Sequence, residues 1–451
     1  MYDLIIRNST IVTEAELLHA DVGITDQQIV AIAPELAGTA GDMIDARGLH
    51  LFPGGIDPHV HCNEPGRTDW EGFATATAAL AAGGVTCCFD MPLNAHPPTC
   101  DVAAFDAKLA ALKPNALIDV ALWGGLVPGN LAELDGLAER GVIGFKAFMS
   151  TSGTSDFVAA DDLTLYEGMR RAASLGKIVA VHAENDTITT ELARRAIADG
   201  RLGVRDYLAS RPIIAELEAI GRAIVLASET GCALHIVHVS TGRGIALVAE
   251  AQARGIDVSC ETCPHYLILT EADVERIGAL AKCAPPLRTA EHIDALWQHV
   301  RNGTVPMISS DHSPAPADMK IGENFFAIWG GISGCQSTLS LLLTEGYTRR
   351  GISLSQVAAL TAGGTARRFG LWPAKGQIAI GADADLALVD LNHEAELHAE
   401  DLFYRHKHSP YVGMRLRGRV VRTFVRGATV FRDGQVHTTG SGHFVGVGNK
   451  S

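Results

Sequence analysis

Six side chains, spread over some 250 residues of the chain, have the chemistry to hold divalent metal ions: His59, His61, Lys146, His182, His238 and Asp311. His59 and His61 stand two apart in Asp57-Pro58-His59-Val60-His61, so on an extended segment both project from one face and can clamp one ion. Four neutral imidazoles with a carboxylate make a nitrogen and oxygen donor set that suits Zn²⁺ or a neighbouring divalent transition metal. Lys146 lies between Phe145 and Phe148 on an apolar run, where an ammonium is costly to bury and the amine is driven toward its neutral form. A neutral lysine can take up carbon dioxide as a carbamate, whose two oxygens can bridge two metals. His235, three residues before His238, faces the other way on a strand and reads as a core histidine.

Taken singly, each of these residues reads as an ordinary core or surface side chain. Their meaning comes from the elements that carry them. Eight short apolar runs alternate with Ala- and Leu-rich helical stretches: Gly55–His61, Val85–Met91, Ile118–Leu126, Val142–Met149, Ile178–His182, Ala233–Val239, Val258–Glu261 and Val305–Ser310. Repeated strand and helix units predict a parallel sheet, and eight strands predict its closure into an α/β fold of the (β/α)₈ TIM-barrel type over residues 53–374. Active sites of such barrels lie where the strands end, and five of the eight runs supply a candidate ligand there. Residues 1–52 and 375–451 instead carry short alternating runs between turn residues, the texture of antiparallel strands. Neither end has enough strands to bury a face alone, which predicts one small β-sandwich built from both. The last dozen residues, rich in Gly, His and Ser, read as a loosely held tail.

The segments GGIDPHVHCNEPGRTDWEGF, GFKAFM, VHAEN, IVHVS, ETCPHYL and SSDHSP resemble, in order and spacing, the motifs of the cyclic amidohydrolases, a family of dihydroorotases, hydantoinases, dihydropyrimidinases and allantoinases. The resemblance spans nearly the whole chain. It implies that His59, His61 and Asp311 hold one ion, that His182 and His238 hold the other, and that Lys146, carboxylated by carbon dioxide, joins them. It further implies a hydroxide activated between two metals, zinc first and iron, manganese, cobalt or nickel as alternatives, that opens a cyclic amide. Asp311 then acts as general acid and base.

Which ring is opened rests on fewer residues. Dihydroorotases place an arginine two residues after the second histidine, where it pairs with a substrate carboxylate. Asn63 stands there in this chain, which favours a neutral ring. Hydantoinases and dihydropyrimidinases carry a tyrosine five residues after the bridging lysine; this chain has Thr151. Asp90-Met91-Pro92-Leu93-Asn94, Ala327-Ile328-Trp329-Gly330-Gly331-Ile332-Ser333 and Tyr404-Arg405-His406-Lys407-His408-Ser409-Pro410-Tyr411 resemble allantoinases. The resemblance therefore implies hydrolysis of allantoin, a hydantoin bearing a ureido group, with hydantoinase, dihydropyrimidinase or dihydroorotase chemistry as alternatives. Asn63, Asn94 and Thr151 are the candidates for the ureido tail, and backbone groups at Ala284 and Ser333 for the ring.

Composition agrees with a small-molecule enzyme. The net charge of −14, from 37 basic and 51 acidic side chains, argues against a nucleic-acid or anionic-membrane partner. The nine cysteines read as reduced thiols and no apolar run reaches membrane-spanning length, so a cytoplasmic enzyme is expected. Cys260-Glu261-Thr262-Cys263 lacks a second ligand pair, and Cys87-Cys88 point to opposite sides of a strand; both read as strand packing. Resemblance implies a homo-oligomer, a tetramer for preference. The rival class is a non-catalytic scaffold of the same fold, and the presence of all six ligand positions speaks against it.

Overall fold

A computed structural model describes residues 1–437 and 442–447. The alternating runs of the first fifty residues form strands β1 (Tyr2–Val12), β2 (Leu17–Thr25), β3 (Gln28–Ala33), β4 (Ala40–Asp45) and β5 (His50–Pro53). The barrel strands follow as β6 (Gly55–Val60), β7 (Val85–Asp90), β8 (Asp119–Leu122), β9 (Gly124–Gly125), β10 (Gly144–Phe148), β11 (Ile178–His182), β12 (Leu234–Ile236), β13 (Val258–Thr262) and β14 (Met307–Ile308). After the last helices come β15 (Leu386–Glu396), β16 (Arg415–Val425), β17 (Ala428–Arg432) and β18 (Gln435–Val436).

Strands β6, β7 and β8 form one parallel arc and β9 to β14 a second. β8 and β9 are one extended run interrupted at Trp123, and an isolated parallel bridge between Val60 and His312 links the last strand to the first. The result is the (β/α)₈ arrangement with helices between successive strands. Consecutive side chains of a strand divide between two apolar clusters. Cys87 joins Phe89, Trp123 and Phe369 in one, whereas Cys88 joins the helix residues Leu80 and Phe105 in the other. All nine cysteines are free thiols.

Local capping stops the strands where the candidate ligands stand. Asn185, three residues after His182, accepts the N–H of Ile188 (3.0 Å) and starts the helix Asp186–Ala198. Thr241, three residues after His238, accepts from Gly244 (3.2 Å) and starts the helix Gly242–Ala253.

Both chain ends enter one nine-stranded sheet in the order β18-β17-β16-β15-β5-β1-β2-β3. It branches at β1, whose first half pairs with β4 and whose last residues pair with β5 along a parallel register. Leu4, Ile6, Ile11, Val22, Leu386, Leu388 and Phe424 share one apolar cluster, so each end covers what the other would leave in water.

The tail departs from expectation. Residues 442–447 are pinned across the barrel floor: Val120 donates to the His443 carbonyl (2.9 Å), Val445 to the Val120 carbonyl (2.9 Å), and His443 N–H to Asp119 (2.9 Å). The small and polar residues that read as a loose end instead let the backbone approach β8 closely. Residues 440–441 and 448–451 of the same stretch lie outside the described residues, as do 438 and 439 before it.

Candidate metal centre and substrate cavity

Asp57 locks the end of β6 to the segment after β14. Its buried carboxylate accepts the backbone N–H of His59 (3.2 Å) and of Ser310 (3.1 Å), and the His61 N–H donates to the His312 carbonyl (2.8 Å). Asp311 Oδ1 is thereby held 3.2 Å from His59 Nε2 and 3.6 Å from His61 Nε2. On the opposite side His182 Nδ1 and His238 Nε2 stand 3.0 Å apart, with the His238 ring centroid 5.4 Å from that of His59. Lys146 is fully buried and its Nζ has no hydrogen-bond partner; it sits 4.8 Å from the centroid of Phe148, whose ring stacks on His182 at 4.6 Å.

The backbone is strained at this point of the fold. His238 (φ 40°) and Asp311 (φ 46°) occupy the left-handed region that side chains other than Gly and Asn rarely enter, and Asn63 (φ 62°) and Asn94 (φ 69°) join them nearby. Such conformations persist where the surrounding structure imposes them.

Electrostatics favour bare donors. Burial lowers the His61, His182 and His238 imidazoles below their ordinary range, and burial drops the Lys146 amine to about 7. For Asp311 burial acts upward, yet the charges of His59 and His61 and the hydrogen bond to His61 outweigh it and hold the carboxyl below the usual carboxylate range. His182 Nε2 faces Glu184 Oε2 (2.9 Å), so the Nδ1 that meets His238 carries the lone pair.

These residues fit a cation on structural grounds. Imidazole lone pairs, a carboxylate and an unpartnered amine converge in a space where His59, His61 and Asp311 bring ligand atoms within 4.8 Å of one another. Acceptors facing acceptors repel unless positive charge lies between them.

The cluster opens onto a cavity of about 600 Å³. Asn94, Thr151 and Ala284 line it, as do His59, His61, His182, His238 and Asp311. Asn63 and Ser333 stand off its wall. Asn63 Nδ2 donates to the Pro314 carbonyl (3.3 Å), and the Ser333 carbonyl accepts from Ser409 (2.7 Å).

Sequence reasoning missed much of the rest of the wall. Trp70 and Trp329 meet edge to face at 4.8 Å, and the Arg67 guanidinium lies 5.4 Å from the Trp70 ring centroid. Arg67 also pairs with Asp156 (2.9 Å), which in turn binds His96 (2.9 Å). Lys282 donates to the carbonyls of Phe325 (2.6 Å), Phe326 (3.3 Å) and Ile328, while Lys320 donates to Trp329 (3.1 Å) and Gly331 (2.5 Å), so two ammoniums staple the loop that forms one side. The GRTDW segment named Arg67 and Trp70 within a motif, but nothing in the sequence marked the two lysines.

The model of the Amidohydrolase family matches residues 50–430. The chain belongs to that family. An amidohydrolase has a divalent metal centre, and the His59, His61 and Asp311 cluster fits one. Among its relatives, "Allantoinase" of Rubrobacter xylanophilus is 61% identical over 98% of this chain and 97% of its own length. "Allantoinase" of Solibacter usitatus is 55% identical over 99% and 97%. Among solved structures, the L-hydantoinase (dihydropyrimidinase) from Arthrobacter aurescens superposes with a TM-score of 0.96 at 36% identity, over 99% of this amidohydrolase and 100% of that chain. The dihydropyrimidinase from Brevibacillus agri gives 0.92 at 33%, over 99% of each.

Proposed function

We propose that this amidohydrolase opens the hydantoin ring of allantoin to give allantoate. The observation that carries this reading is the 61% identity, over nearly the full length of both chains, to a relative named allantoinase. Thr151 on the cavity wall supports it, since a small polar side chain stands where hydantoinases carry a tyrosine.

In this reading His59, His61 and Asp311 would hold one ion and His182 and His238 a second, and Lys146, as a carbamate, would supply further oxygen donors to the centre. The unpartnered, buried Lys146 Nζ supports carboxylation, and the nitrogen-rich donor set favours zinc. Two such ions supply Lewis acidity and an acidified water. Asp311, whose side chain is 13% exposed toward the cavity, takes a proton from the attacking water and returns it to the ring nitrogen as the C–N bond breaks. Its hold by His59 and His61 keeps it ionised and aimed. Asn94 and Thr151 offer hydrogen bonds to the ureido tail, the backbone at Ala284 offers one to the ring, and Asn63, bonded to the Pro314 carbonyl, supports the turn behind. The paired Trp70 and Trp329 screen the reacting bond from bulk water.

No helix among the described residues is long and apolar enough to cross a membrane. We further propose, from the family resemblance of its sequence motifs, that the enzyme is a cytoplasmic homotetramer that works in purine breakdown.

The 0.96 TM-score to an L-hydantoinase favours a second reading, a broader hydantoinase. Side-by-side assay on allantoin, hydantoin, dihydrouracil and dihydroorotate decides between them. Allantoin is expected to give the highest kcat/KM by a wide margin; turnover of hydantoin or dihydrouracil at equal or greater efficiency would overturn the first reading in favour of the second.

A further inference from the structure

Behind the histidines, a carboxylate that neither ligates nor lines the cavity organises one of them. Glu261, the penultimate residue of β13, is fully buried and uses both oxygens: Oε1 lies 2.7 Å from His59 Nδ1 and Oε2 lies 3.0 Å from His235 Nε2. His235 Nδ1 lies in turn 2.7 Å from Ser259 Oγ. Ser259 pairs directly with His235 across the β12–β13 register, and Glu261, two residues on, shares the Ser259 face.

We infer that Glu261, anchored by His235 and Ser259, is the positioning residue that presents the His59 Nε2 lone pair to the metal.

The direction of every proton in this chain follows from what each group can do. An ionised carboxylate only accepts, so both histidines donate to it, His59 through Nδ1–H and His235 through Nε2–H. A neutral His235 that donates from Nε2 has a bare Nδ1, which accepts the Ser259 hydroxyl proton. A neutral His59 that donates from Nδ1 has a bare Nε2. That bare nitrogen meets Asp311 Oδ1 at 3.2 Å, lone pair against lone pair, an arrangement that a cation relieves.

The same carboxylate fixes the ring plane. Imidazoles that ligate metals are oriented through their other nitrogen, and removing that partner costs roughly 10–100-fold in metal affinity. His235 therefore does more than fill space. It occupies the second oxygen of Glu261, so that the carboxylate cannot rotate away from His59. Phe369 closes the far side, edge-on to the His235 ring at 5.4 Å.

The inference rests on the metal centre and is tested on metal binding rather than turnover. Metal-free wild type and Glu261→Gln are titrated with zinc against a chromophoric chelator, and their cobalt-loaded forms are compared by visible absorption. Glutamine keeps the size and both hydrogen bonds if His235 changes tautomer, but loses the charge. Glu261→Gln is expected to bind zinc at least about tenfold more weakly and to shift the cobalt bands. An unchanged affinity and spectrum would overturn the positioning role.

Histidine-labelled wild type, loaded with zinc, supplies a check that needs no variant to fold. Nitrogen NMR is expected to show His59 protonated at Nδ1 and ligating through Nε2, and ligation through Nδ1 would equally overturn the inference. Failure of wild type itself to take up zinc would instead overturn the metal-centre reading.

Discussion

The two ends of the barrel both bury charge, and they treat it in opposite ways. At the floor, Lys375 Nζ meets three carboxylates, Asp385 at 2.6 Å, Asp119 at 2.8 Å and Asp383 at 3.0 Å, and Arg426 caps Asp119. Burial acts downward on this lysine, but the carboxylates outweigh it and raise the amine well above its ordinary value. Toward the mouth, Lys146 has no partner, and Lys282 and Lys320 have carbonyls but no carboxylate among their hydrogen-bond partners. Burial takes all three down to about 7. A cluster that satisfies itself stabilises a fold, whereas one that leaves lone pairs and an amine unspent is poised to bind something else.

The sharpest way to break this contrast is Lys146→Ala. Bound metal is expected to fall to a small fraction by elemental analysis, activity to background, and a short carboxylic acid to restore part of both. Full activity in the untreated variant would refute the bridge. Next is Asp311→Asn, which keeps a metal-binding oxygen but not the base. We expect kcat to fall roughly 10²–10⁴-fold while most metal is retained, and normal turnover at normal metal content would remove its role as acid and base.

At the floor the effect moves from chemistry to stability. Lys375→Met leaves the buried Asp385 without its cation while Asp119 keeps Arg426, and denaturant unfolding should report a loss of about 3–5 kcal/mol with zinc affinity unchanged in the folded protein. Because the Lys375 amine is raised above its unfolded value, its contribution is complete below the unfolded pKa, so this deficit should be flat between pH 6 and 9.

Lys320 should behave in the contrary sense and by a smaller amount. Its folded pKa of about 7 lies below the unfolded value, so the penalty of burying its charge is full below pH 7 and fades as pH rises toward the unfolded pKa. Wild type should therefore gain stability relative to Lys320→Met between pH 7 and 9. Equal differences at both pH values would show that the two ends do not differ in this way.

The legible part of the molecule was that which repeats or which converges on one kind of atom. Eight apolar runs announced eight strands, and histidines at strand ends announced a metal because few other arrangements use so many imidazoles. The motifs then supplied a pairing that spacing alone leaves open. Glu261 and Glu184 were silent, since a buried glutamate is recognisable only by the histidine it faces, and Glu261 meets His59 from across the barrel. His235 read as a core histidine facing the other way from His238; it is buried, but its ring turns to Glu261 and so toward His59, a bond out of reach for the same reason. Lys282 and Lys320 bind backbone carbonyls, which carry no side-chain identity to read. Asn63 and Ser333 fall on the right loops yet lie off the wall, because a loop's position does not say which residue turns inward.

The path of the chain through the nine-stranded sheet sets an order on how it is made. β5 lies between β1 and β15, and β15 begins at Leu386, so a growing chain displays the β5 edge until most of it has left the ribosome. The barrel strands emerge in the interval and can close first. During synthesis, then, the first fifty residues wait as an open-edged sheet for the last ones, and slow translation before Leu386 lengthens the time in which that edge can pair with another chain.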